Sequence, residues 1–259
     1  MASRDEKIPR SLERLWKRTG PRRRGPQPTL TRERIVAAAI EIADRDGLSA
    51  LSMARLATRL GCAPMSLYRH VENKDELQVF MMDMAPGAPP AAASHAKDWR
   101  AGLERWARAL REVYYRHPWI LQIATGRPPL EPGQLAWLDI GLQTLAGTRL
   151  EPAEKLSVIL LVLHYVRGEA QLATGVLQPK GWTGEQAREM QAWYARMLDT
   201  LVEPARFPAL AKVMAAGAFA PAATGQAEGG GVDFDFGLER LLDGVAAAVA
   251  KRVGQRGGA

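Results

Sequence analysis

The sequence predicts an all-α protein in two parts, a small helix-turn-helix unit followed by a larger helical domain. Three observations carry this. Apolar residues recur at i, i+3, i+4 and i+7 along most of the chain, and no segment alternates convincingly with period two. The 17 prolines and 24 glycines cluster at joints between the periodic segments. The sharpest joint, Pro86, Gly87, Pro89 and Pro90, closes a first domain at residue 85 and precedes a second over 95–255. At 259 residues, 47% hydrophobic and 24% charged, the chain can bury such cores without staples.

Residues 1–30 hold nine Lys/Arg against three Asp/Glu, so nearly all of the net +7 sits there. Arg22, Arg23 and Arg24, flanked by Pro21, Gly25, Pro26 and Pro28, read either as a flexible basic arm that follows phosphates or as a solvated tail. Over 31–46 Thr31 is the N-cap, Ile35, Ala39, Ile42 and Ala43 form the stripe, and Gly47 is the stop. Ser52 caps a short helix over 53–60, with Leu56, Ala57 and Leu60 inward and Gly61 as its end. Three residues later Pro64 opens the next helix, of about two turns, where Leu67 and Val71 are an inward i, i+4 pair. Asn73 and Glu76 resemble a capping box for a fourth helix through Leu77, Phe80, Met81 and Met84.

Past the joint every segment is again helical. The spacing predicts helices over 97–116, from Trp119 to Gly126, through Leu135, Leu138, Leu142 and Leu145, over 151–176, 184–202 and 207–216, and over 234–253. The helix over 151–176 is apolar on every side from Val158 to Leu163, which predicts burial on several faces. That aliphatic run is far short of the ~20 residues of a membrane span, and the N-terminus has no apolar leader. No membrane partner and a cytoplasmic location are therefore expected. The single Cys62 makes no internal disulfide and reads as a small apolar filler of the turn.

The string from Leu60 through Ser66-Leu67-Tyr68-Arg69-His70 to Lys74 and Leu77 resembles the turn, recognition helix and following cap of the TetR family of transcription regulators. His117-Pro118-Trp119, Tyr165-Val166-Arg167-Gly168 and the segment Phe234 to Leu242 resemble the ligand-binding domain of its tetracycline-repressor subgroup. The resemblance implies that Tyr68, His70 and Lys74 contact phosphates, with Ser52 in a similar position. From the residues themselves, Ala63, Pro64 and Met65 offer shape and methyl contact, Ser66 is a short adaptable group, and Arg69 is the long fork able to grip guanine.

Six of the seven tryptophans, Trp99, Trp106, Trp119, Trp137, Trp182 and Trp193, lie beyond residue 98. Aromatic residues at helical spacing pack a core or line a small-molecule site, and both readings stay open for Trp99, Trp106, Trp119, Trp137 and Trp193. His164, Arg167 and Gln171 share one face of an apolar helix, so they either orient a ligand or bond across an interface. A short reading helix needs a two-fold partner on palindromic DNA, and the helices near 151–176 and 234–253 are the natural pair. By resemblance they form a four-helix dimer interface.

Enzyme signatures are missing: no G-x-S-x-G, H-E-x-x-H, P-loop or dinucleotide fingerprint, and four dispersed histidines without metal spacing. No cofactor and no metal are expected. The sequence thus points to a homodimeric regulator, a repressor released from a palindromic operator on double-stranded DNA by a small-molecule effector. The alternative is a DNA-binding regulator controlled by a protein partner.

Overall fold

The computed structural model describes residues 8–17, 30–91, 98–123, 128–174, 184–219 and 234–254. Among these residues all regular structure is helical. In order they form α1 (Arg10–Trp16), α2 (Arg32–Asp46), α3 (Met53–Leu60), α4 (Pro64–Leu67), α5 (Lys74–Met84), α6 (Trp99–Arg116) and a 3-10 segment (Pro118–Gln122). There follow α7 (Pro132–Thr144), α8 (Pro152–Ala173), α9 (Gly184–Leu201), α10 (Pro208–Ala215) and α11 (Phe234–Gly254). Two compact units result: residues 1–170 with 234–259, and residues 171–233.

Local chemistry sets the early boundaries. Thr31, Ser52 and Asn73 each turn a side-chain oxygen onto the backbone N–H three residues ahead, at 3.2, 3.2 and 2.8 Å. Gly61 ends α3 at φ +65°, a left-handed position that glycine takes without a Cβ penalty. Ile35, Ile42, Leu56, Leu67, Val71 and Leu77 are nearly solvent-free and make the first core.

The expected flexible arm over 1–30 is corrected at residues 10–16. They form α1, because Leu12 and Leu15, three apart on one helix face, are both 2% exposed. Arg22, Arg23 and Arg24 lie outside the described residues. The reading helix is also shorter than expected: α4 has one turn, and Tyr68–His70 continue as a turn in which His70 N–H bonds Leu67 O at 2.8 Å.

In the larger part, Asp98 caps α6 by accepting from Arg100 N–H at 3.0 Å. The stripe on α7 differs from expectation. Trp137, Gly141, Thr144 and Leu145 are buried, whereas Leu135, Leu138 and Leu142 are half-buried, because Gly141 leaves room for the Trp106 ring.

Helix α8 corrects one expectation. It buries one face, Ile159, Val162, Val166 and Ala170, and exposes Leu156, Leu160 and Leu161. An 18-residue window of this 22-residue helix reaches a mean hydropathy of 1.2, so by length and composition it could cross a membrane, although the aliphatic run alone is too short. Two ion pairs hold it to neighbouring helices: Glu154 with Arg252 at 2.6 Å and Glu169 with Arg111 at 2.8 Å. On α11, Leu238, Leu242 and Val245 are buried, Leu241 and Val249 are half-buried, and Ala247 and Ala250 are exposed.

Candidate nucleic-acid interface and its regulatory domain

Helix α3, the Gly61–Ala63 turn and α4 form a compact reading head. Leu67 and Val71 anchor it from inside, at 0% exposure each. The register of that inward pair turns Ala63, Pro64, Met65, Tyr68 and Arg69 to solvent and leaves Ser66 and His70 half-buried. Met65 is 72% exposed. Cys62, in the turn, is free and half-buried.

Charge pairing then separates the arginines. Arg55 of α3 is bound to Asp46 at 2.6 Å and Arg59 to Glu41 at 2.8 Å, both acids of α2. Hydrogen bonding from Arg45 holds the Asp46 carboxyl below the usual carboxylate range. Arg69 and Lys74 have no such partner among the described residues, so their charge is available to an external anion. Lys74 is also the first residue of α5, where free backbone N–H groups favour an anion. Ser52 lies exposed at the start of α3.

A residue the sequence reading missed stands beneath this surface. Arg14 of α1 donates through Nη1 to both carboxylate oxygens of Glu76 at 2.9 Å and through Nη2 to the His70 carbonyl. The available signal was Leu12, Leu15 and Trp16 at helical spacing inside the charged N-terminal run.

Of the residues read as ligand-binding, Trp99, Trp106, Trp119, Trp137, His164 and Arg167 fall in the first unit, and Gln171 and Trp193 in the second. Trp106 donates its indole N–H to Trp137 O at 2.9 Å, Trp137 to Gly87 O at 3.0 Å, and Trp119 to Asp44 Oδ1 at 2.6 Å. All three are buried, so they brace the helices with their polar edges already satisfied. Trp99 is half-buried and His164 exposed. Arg167 is half-buried; it donates to Leu121 O at 3.2 Å and hydrogen-bonds the Tyr114 phenol, whose pKa burial raises and Arg167 partly restores. It meets no carboxylate among the described residues. Gln171 is half-buried, and Trp193 lines an open recess of about 550 Å³ along α9 with Met190 and Arg196. The described residues hold no cluster of three or more His, Cys, Asp or Glu suited to a metal ion.

A capped helix, a glycine turn and a solvent-facing second helix, followed by two cations without an acidic partner among the described residues, define a helix-turn-helix, DNA-binding transcriptional regulator. Residues 35–78 match the family described as "Bacterial regulatory proteins, tetR family", and residues 91–249 match "Tetracyclin repressor-like, C-terminal domain". The chain belongs to the TetR family, and it is a transcriptional repressor. It is 39% identical over 254 residues to the HTH-type transcriptional repressor DrrR1 of Streptomyces coeruleorubidus, covering 96% of this chain and 89% of that one. It is 33% identical over 221 residues to an HTH-type transcriptional regulator of Saccharopolyspora erythraea, covering 85% and 86%. Among solved structures, apo ActR from Streptomyces coelicolor aligns with a TM-score of 0.67 at 25% identity, over 87% of this chain and 99% of ActR. ActR in complex with actinorhodin aligns at 0.65 and 26% identity, over 86% and 99%.

Proposed function

We propose that the protein acts in the cytoplasm as a homodimer on a palindromic operator, and that an organic effector releases it. Arg69 reads a base edge, Ala63, Pro64, Met65 and Ser66 supply shape and short contacts, and Ser52, Tyr68, His70 and Lys74 hold the phosphates. Arg22, Arg23 and Arg24 add salt-dependent affinity. The observation that carries this reading is that, among the described residues, Arg69 and Lys74 lack an acidic partner where Arg55 and Arg59, on the neighbouring helix, have one.

Dimerisation through α8 and α11 gives the exposed Leu156, Leu160 and Leu161 a cover. A second copy suits this face better than a membrane does, because α8 also carries Arg167 and the paired Glu169 along its length. His164 and Arg167 of the first unit are the residues proposed to meet the effector, with Trp99, Trp106, Trp119 and Trp137 framing the same unit. The complex of ActR with actinorhodin supports a small-molecule effector here. Ligand binding then favours a dimer geometry that no longer matches successive major grooves, which requires unequal affinity for the two states. The chain works as a transcription factor and carries no catalysis of its own.

The test is selection of fragmented genomic DNA on the purified protein, followed by salt titration on the recovered site. A recovered palindrome bound more tightly than scrambled DNA supports the reading. Uniform, salt-suppressed binding to every fragment overturns it.

A further inference from the structure

Residues 10–16 precede the span that matches the family, yet α1 grips the reading head. Arg14 holds Glu76 with both carboxylate oxygens at 2.9 Å, and the Glu76 side chain is only 5% exposed. The same carboxylate accepts the Glu72 N–H at 2.6 Å, while the Glu76 N–H donates to Asn73 Oδ1 at 2.8 Å. With its other nitrogen on the His70 carbonyl, Arg14 joins the end of the reading turn to the start of α5. Those are the two places from which Arg69 and Lys74 project.

The guanidinium is itself held. Arg14 and Arg32 lie over the Phe80 ring at 5.7 and 5.1 Å, and Arg32 donates to Arg14 O at 3.1 Å. Leu12 and Leu15 seat the helix, and at its far end Trp16 donates its indole N–H to Leu130 O at 3.1 Å, two residues before α7. A planar fork fixes direction as well as charge, so lysine at position 14 could neutralise Glu76 but could not hold His70 O in the same pose.

We propose that α1 is a strap on the reading head, in which Arg14 is a positioning residue for sequence recognition and Trp16 ties that pose to the regulatory helix α7. This rests on the DNA reading proposed above for Arg69 and Lys74. It makes a residue that need not touch DNA a determinant of operator choice.

The test uses the full chain as wild type, Arg14→Lys, Arg14→Ala and Trp16→Phe, with the recovered operator, a scrambled duplex and amide hydrogen exchange. Arg14→Lys keeps a cation beside buried Glu76 and so serves where Arg14→Ala fails to fold. It is expected to lose roughly ten-fold or more in operator affinity, as loss of one charge-assisted bond implies, while scrambled DNA binds as before. Exchange should quicken over residues 68–76 and stay unchanged in α6. Operator binding should slow exchange over residues 129–135 in wild type and fail to do so in Trp16→Phe.

Wild-type operator preference together with wild-type exchange in Arg14→Lys would overturn the positioning role. Quickened exchange in α6 equal to that in the reading turn would also overturn it, by making Arg14 a general fold residue. Retained slowing over 129–135 in Trp16→Phe overturns the tie to α7. If wild type itself prefers no sequence, the DNA reading fails, and the exchange of Arg14→Lys without DNA still decides whether the strap holds the turn.

Discussion

The indole N–H of Trp119 donates to Asp44 Oδ1 at 2.6 Å, and His117 Nδ1 lies 2.7 Å from the same oxygen. One carboxylate on α2 thus holds the segment that follows α6, and the two rings meet edge to face at 6.1 Å. A second bond of this kind joins α5 to α7, where Asp83 Oδ1 accepts Gly133 N–H at 2.6 Å. Because Trp119 is 1% exposed, its N–H has no water to fall back on.

Trp119→Phe keeps an aromatic ring, removes the donor and leaves a small void where the five-membered ring stood. It is expected to cost about 1.5–3 kcal/mol of stability, the range for hydrogen bonds to charged groups, measured by urea unfolding. Asp44→Asn retains an acceptor oxygen and is expected to cost less. Equal midpoints for wild type and Trp119→Phe would show that the bond carries no load.

The roles proposed for Arg69 and Lys74 separate base reading from phosphate holding. Arg69→Ala is expected to lose about 1–3 kcal/mol of discrimination between the operator and a variant at the contacted base. Lys74→Ala is expected to weaken cognate and scrambled duplexes alike and to flatten the salt slope by about one unit. Fluorescence anisotropy across a salt series distinguishes them, and equal losses on both duplexes for Arg69→Ala would remove it from base reading.

How far these features were legible depends on whether their signals are local. Ser52, Gly61, Pro64 and the Asn73–Glu76 pair mark helix ends by their own chemistry, so α3, α4 and α5 start where the sequence places them. The bond between Arg14 and Glu76 spans 62 residues, and a seven-residue helix offers too few periodic positions to stand out. Trp106 and Trp137 show the other limit. A tryptophan at helical spacing looks the same whether its N–H meets a ligand or, as for Trp106, the Trp137 carbonyl. On α7, hydrophobicity favoured the leucines, but steric room at Gly141 decided which face turned inward. For α8, apolar character on all sides announced that every face wants cover, without saying whether the same chain supplies it.

That uncovered face yields a further expectation. Leu161, 52% exposed beside Leu160, is central to the proposed dimer contact. Leu161→Glu places a charge there without disturbing Ile159 or Val162 on the inward face. Analytical ultracentrifugation should show monomers with wild-type helix content, and operator affinity should fall with them. A dimer that survives Leu161→Glu and Leu160→Glu together would move the interface elsewhere.

Tyr115 gives the protein an alkaline signature. Its phenol donates to Glu169 Oε1 at 2.9 Å and receives Arg111 Nη2 at 2.6 Å, while Arg111 also pairs with Glu169 at 2.8 Å. Burial and then the Glu169 carboxylate push the phenol up from 10.0 to about 12, against the smaller opposing pull of Arg111. The raised value means that the folded chain keeps a proton the unfolded chain releases. Its stabilising contribution is therefore complete below pH 10 and is lost as pH rises from there through about 12. Tyr115→Phe is expected to remove one late-ionising phenol from an ultraviolet titration and to make the decline of stability across that window less steep. Tyr114, raised by burial on the adjacent position of α6, remains in the variant and keeps part of the late titration. Loss of a phenol from the ordinary range in Tyr115→Phe, with the late part of the titration unchanged, would mean that Tyr115 ionises in the ordinary range and that Glu169 is held by Arg111 alone.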